Sequence, residues 1–251
     1  MPDACTIWQT LRMLDTQPLY RRALQAIHLL AGTLRAIGPL MGRPRRFHSL
    51  RKRHLKTRLA ESIRFVALSC LAMALIFLLT VSSVAVVARP ETFVVWSTAV
   101  NLAHFLVIAA IYAAAGKVFS PTTAARIHIE NVFYASVALV FVAFVTQPLM
   151  HAEVVAILRD ASDFEFGYRA SLSEAFRSSP MVWGCTALLY AGYAYFAYLI
   201  YVGLRVTAGV PRWRAIGAVA IGTIALFTYQ TTHMLPWMEQ LLHATVKQAN
   251  H

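Results

Sequence analysis

The sequence predicts an all-α polytopic membrane protein: five transmembrane helices, with the N-terminus inside and the C-terminus outside. Three observations predict it. Five apolar stretches, roughly residues 64–88, 94–115, 129–150, 181–204 and 213–235, are each long enough to cross a hydrocarbon core of about 30 Å at about 1.5 Å rise per residue. Charged residues make up 14% of the chain and hydrophobic ones 58%, well short of the roughly one-quarter charged that soluble domains carry. Lysine and arginine return in every second connection, the asymmetry that orients membrane proteins.

The first 63 residues form a basic, hydrophilic N-terminal region. Within it Leu19, Leu24, Ile27, Leu30, Leu34 and Ile37 recur at near-helical spacing among Arg21, Arg22 and Arg35, so a helix is expected over about residues 18–37. Gly38, Pro39, Gly42 and Pro44 are expected to break it. Such a helix either lies in the membrane interface or packs on the bundle's own loops. With Asp3, Trp8 and Asp15 near the N-terminus, no cleavable signal peptide is expected, and the first span is expected to act as an uncleaved anchor.

The spans carry matching helix punctuation. Pro90, Pro180 and Pro211 stand at or just before span starts, where a missing amide hydrogen costs nothing. Ser178 and Ser179 are placed to cap the fourth span, and Gly209 to end it before Pro211. Spans four and five should form a tight hairpin. Pro148 should kink or stop span three, and Val154 to Leu158 are expected as a short helix on the far surface. Residues 236–251 make a short outer tail.

Thirteen of the 23 lysines and arginines lie in the first 64 residues, many of them between Arg43 and Arg58. With the N-terminus inside, eighteen of the 23 fall inside and five outside, the five being Arg89, Arg159, Arg169, Arg177 and Lys247. The net charge of +12 then speaks for orientation and for anionic lipid headgroups, with Arg45, Arg46, Arg51, Lys52, Arg53, Lys56 and Arg58 as the expected contacts. Little aromatic interleaving accompanies these cations beyond Phe47, which points away from nucleic acid.

Ionisable residues are scarce within the spans. Asn101 and His104 share a face of span two, and Gln230 and His233 share one near the outer end of span five. Span four carries Tyr190, Tyr193, Tyr195, Tyr198 and Tyr201. The hydroxyls of Tyr190 and Tyr193 need partners at mid-depth, and Asn101 or His104 would suit. Asn101, His104, Tyr190, Tyr193, Gln230 and His233 therefore make up the candidate intramembrane polar site. It reads either as hydrogen bonding between helices or as a polar cleft between spans two, four and five. Ala187, Ala191, Ala194 and Ala197, with Ala218 and Gly222 in span five, permit close helix approach. Glu130, four residues after Arg126, is expected to pair with it. Cys5, Cys70 and Cys185 have neither metal nor disulfide spacing. No catalytic, cofactor or metal motif is present.

Five spans, a hydrophilic N-terminal region, a short outer tail, and the turn of Leu204 to Ala215 resemble the Yip1-like family of integral membrane proteins. The segment PRRFHSLRKRHLKTRLAESIRF, from Pro44 to Phe65, is similar to related bacterial membrane proteins. The resemblance implies a non-enzymatic helical scaffold in the inner membrane, whose partners are the bilayer and another membrane protein or a second copy. The alternative is a transporter or permease component using the polar cleft.

Overall fold

The computed structural model describes residues 17–51, 55–82, 90–160 and 178–234. Among them are seven α-helices and no strand: α1 (Gln17–Gly42), α2 (Pro44–Arg51), α3 (Leu55–Ser82), α4 (Pro90–Phe119), α5 (Ala125–Asp160), α6 (Pro180–Thr207) and α7 (Arg212–Tyr229), which closes in a π-helical turn, Gln230–Met234. Five of these are long and apolar enough to cross a membrane: Arg58–Leu79, Pro90–Phe119, Ala125–Met150, Pro180–Thr207 and Arg212–Thr232. The chain is a multi-pass integral membrane protein.

Helix α5 is the centre of the bundle, packing against α3, α4 and α6. Helix α7 joins α6 to α4, so α4, α5, α6 and α7 close a ring, and α3 lies outside it along α4 and α5. The ring interior is filled by side chains such as Ile108, Tyr112, Phe196, Leu199 and Leu226, all buried. Tyr112 and Phe196 meet across it edge to face, with centroids 5.8 Å apart. Exposed Trp96 and Trp183 near the starts of α4 and α6, and exposed Trp213 at the opposite end on α7, fit the aromatic belts of two membrane interfaces.

Glycine lets these helices touch. A Cβ at Gly192 would lie 2.5 Å from Val142, one at Gly217 2.5 Å from Phe119 and one at Gly222 2.5 Å from Tyr112. We expect Gly222→Ala to destabilise the bundle by about 1–3 kcal/mol through overpacking. Gly184→Ala, where nothing lies within 4 Å, should leave the unfolding midpoint in detergent unchanged.

The expected caps are in place. The Ser179 side chain accepts from the Val182 amide with Pro180 in the first turn, and Gly209 takes a positive φ of 64° after α6. Arg205 donates to the Val210 carbonyl at 2.8 Å, drawing the α6–α7 hairpin tight.

Pro39 behaves differently from expectation, and Pro148 does not stop its helix. Helix α1 runs through Gly38 and Pro39 to Gly42, and α5 runs through Pro148 to Asp160, which makes Val154–Leu158 part of α5 rather than a separate surface helix. Proline removes only one ladder bond, and packing can hold the helix on either side. Leu40, one residue after Pro39, is buried in the core, as is Thr146, two residues before Pro148.

The turn between α1 and α2 seats the N-terminal region on the bundle. Thr33, Ala36 and Leu40 bury one face of α1, and the Tyr195 hydroxyl of α6 donates to the Met41 carbonyl. Residues 1–16, the rest of the outer loop and the outer tail lie outside the described residues, as do the side chains of the first turns of α1.

Candidate functional site

Helix α2 packs its Pro44, Phe47 and His48 inward and turns Arg45, Arg46, Ser49 and Leu50 outward. The two faces follow from helical spacing of three and four residues. Phe47 meets Phe65 of α3 at 6.4 Å and Tyr134 of α5 at 5.2 Å, while Phe65 and Tyr134 pack at 5.1 Å. Edge-to-face contacts of this kind add about 0.5–1.5 kcal/mol each beyond burial.

Around this aromatic triad lies a polar network joining α2, α3, α5 and α6. Arg58 on α3 is 0% exposed and Glu130 on α5 is 2% exposed, with Arg58 Nε 3.4 Å from Glu130 Oε2. Arg58 Nη2 donates to Asn131 Oδ1 at 3.4 Å, and Asn131 Nδ2 donates to Thr207 Oγ1 at the end of α6, also at 3.4 Å. The approach of α6 depends on Gly203, where a Cβ would sit 2.6 Å from the Asn131 side chain. Arg126 donates to the other Glu130 oxygen at 2.6 Å, as the four-residue spacing led us to expect.

A second carboxylate closes the cluster. Arg51 Nε donates to both oxygens of Glu61, at 2.9 and 3.0 Å, and Arg51 stacks over Phe47 at 3.8 Å. Tyr134 donates to Glu61 Oε2 at 3.1 Å and also reaches the Arg58 carbonyl at 3.3 Å. His48 stands beside them, buried. Loss of solvation, then the positive charges of Arg58 and Arg51, pull its pKa down from 6.5 to about 3. It is therefore neutral, and it lies edge to face with aromatic rings, Phe47 at 5.2 Å and Tyr134 at 6.1 Å.

Chemically this is a clamp. Each carboxylate is taken up by guanidinium groups, and Glu130 has no open face from which to accept a substrate proton. A buried ion pair is held at considerable desolvation cost, and the bonds from Asn131 and Arg126 offset only part of it, since Arg58 Nε and Nη1 are buried without a hydrogen bond. Among the described residues no three His, Cys, Asp or Glu side chains converge to hold a metal.

The intramembrane residues named from sequence come together only in part. Tyr193 and Gln230 do meet, Gln230 donating to the tyrosine hydroxyl at 2.6 Å. His104 stacks on Tyr229 of α7 at 5.6 Å instead of reaching a tyrosine of span four. Tyr190 is exposed, with Phe227 at 6.1 Å. Asn101 is half-buried on α4. The side chain of His233 lies outside the described residues. The hydroxyl that does bridge spans two and five is Tyr112, 2.9 Å from Thr223.

Among the basic residues, Arg45 and Arg46 are exposed, while Lys52 and Arg53 and the side chain of Lys56 lie outside the described residues. Arg58 needs correction, and Arg51 is engaged by Glu61 with its side chain still 21% exposed. Both face carboxylates, and the guanidinium of Arg58 is enclosed by protein, which removes it from any headgroup. Their signal was in the chain: Glu61 and Glu130 stand among cations at span entrances, where an acid without a partner would be costly. Phe47, His48 and Tyr134 gave no such signal, because their roles come from α2 folding back. No family model, curated protein or solved structure matches the chain.

Proposed function

We propose that this protein is a non-enzymatic membrane scaffold of Yip1-like type, in a bacterial inner membrane, with its basic N-terminal end in the cytoplasm and its C-terminus outside. Its partners are anionic lipid and another membrane protein or a second copy. The observation that carries this reading is how the polar groups within the spans are used. Tyr193 with Gln230, Tyr112 with Thr223, and His104 against Tyr229 tie neighbouring helices together, and hydrogen bonds between spans are worth about 1 kcal/mol.

A permease component would need polar groups facing an open path, and secondary transporters are usually built from repeats around a midplane site. The five spans show no such repeat in sequence.

Affinity capture from mild detergent tests the choice. The expected result is a membrane protein, or a second tagged copy, recovered in a fixed ratio with both the wild-type chain and an Asn101→Ala/His104→Ala variant. Recovery of the chain alone, together with a loss-of-function phenotype in that variant at normal protein level, would favour the conduit.

A further inference from the structure

We propose that the outward face of α2, with Arg43 just before it, binds the phosphate headgroup of an anionic lipid in the bilayer that the protein spans. Arg43, Arg45 and Arg46 are exposed within one turn of chain, with exposed Leu50 on the same face of the helix. The opposite face is fixed. Phe47 packs on Phe65 and Tyr134, and these two sit where the charge-free runs of α3 and α5 begin, at Phe65 and Asn131. Helix α2 is therefore held at the edge of the hydrocarbon, where phosphates lie, with Leu50 available to the acyl chains.

The charge balance of this edge selects an anion. Glu61 is taken by Arg51 and Tyr134, and Glu130 by Arg58 and Arg126, so the arginines on the outward face of α2 are left without either carboxylate. A phosphate supplies the missing charge, and arginine suits it because its planar fork donates two parallel hydrogen bonds. The site rests on the proposed partnership with anionic lipid, and it holds whether the bundle is a scaffold or a conduit.

The test compares the full chain with an Arg43→Gln/Arg45→Gln/Arg46→Gln variant, both purified in mixed micelles of phosphatidylglycerol and phosphatidylcholine. Retained lipid is counted by mass spectrometry. Wild type should enrich phosphatidylglycerol, and the triple variant should lower that enrichment at least about five-fold, the effect of a single basic residue at an anionic surface. All three side chains are exposed, so the unfolding midpoint should not move. Arg212→Gln/Arg214→Gln, at the exposed start of α7, should lower the ratio less than the triple variant does.

Unchanged enrichment in the triple variant overturns the proposal, as does an equal loss in the α7 variant. Displacement by inorganic phosphate beyond that by chloride at the same ionic strength would move the site to free phosphate. Displacement by a short RNA at equimolar concentration would move it to nucleic acid.

Discussion

Arg58→Met alone is expected to cost about 3–5 kcal/mol of stability in detergent, because it leaves the Glu130 carboxylate buried without its partner. Arg58 and Glu130 are both almost fully enclosed, so water cannot replace the lost guanidinium. Arg126 remains on the other oxygen, but its side chain is 47% exposed and solvent weakens what it can supply. The double variant Arg58→Met/Glu130→Leu should recover most of the loss, since it removes both charges together. Urea titration of the two variants, followed by tryptophan fluorescence, separates the cases. A single variant that loses under about 1 kcal/mol would mean that the pair is solvated in the membrane.

Phe47→Ala is expected to release α2 from the bundle while the five spans stay folded. Truncating a buried phenylalanine costs about 3–5 kcal/mol, and here the cost falls on an eight-residue helix whose hold is the aromatic triad, the Arg51–Glu61 pair and its packing along α6. Hydrogen exchange should rise across Pro44–Arg51 and stay unchanged in α5. Equal loss of protection in both helices would show that α2 is part of the cooperative bundle. Acid should act in the same direction. Neutral His48 is required when α2 is docked, and its pKa there, about 3, is below the ordinary 6.5. The undocked helix therefore binds the proton first. Docking is fully present above about pH 6.5 and weakens as pH falls towards 3. His48→Phe, which packs without titrating, should reduce that dependence to what the Arg51–Glu61 pair contributes.

Much of the membrane domain could be read from the chain, because hydrocarbon imposes its rules locally. A charge-free run of twenty or more residues has few alternatives to a spanning helix, and Pro180 with Ser179 or Gly209 with Pro211 announces a boundary without help from distant residues. Prolines inside helices were less legible. Pro39 and Pro148 break or continue a helix according to what packs around them, and that is decided by residues far away in sequence, such as Tyr195 at the end of α1.

The clamp was hidden for the same reason. Arg126 and Glu130 are four residues apart, and their contact followed from helical geometry. Arg58 with Glu130, or Asn131 with Thr207, joins helices more than seventy residues apart. Positive charge at a span entrance is so commonly a topological signal that Arg51 and Arg58 looked like their exposed neighbours. Only the back-folding of α2 separates the arginines that turn outward from those that hold the bundle.

The most direct test of this account is a pair of reporter fusions after His251. An odd number of spans puts the two ends of the chain on opposite sides, so with the basic end inside, a C-terminal alkaline phosphatase should be active and a C-terminal green fluorescent protein dark. A fluorescent fusion with inactive phosphatase would place the C-terminus in the cytoplasm and contradict the five-span orientation.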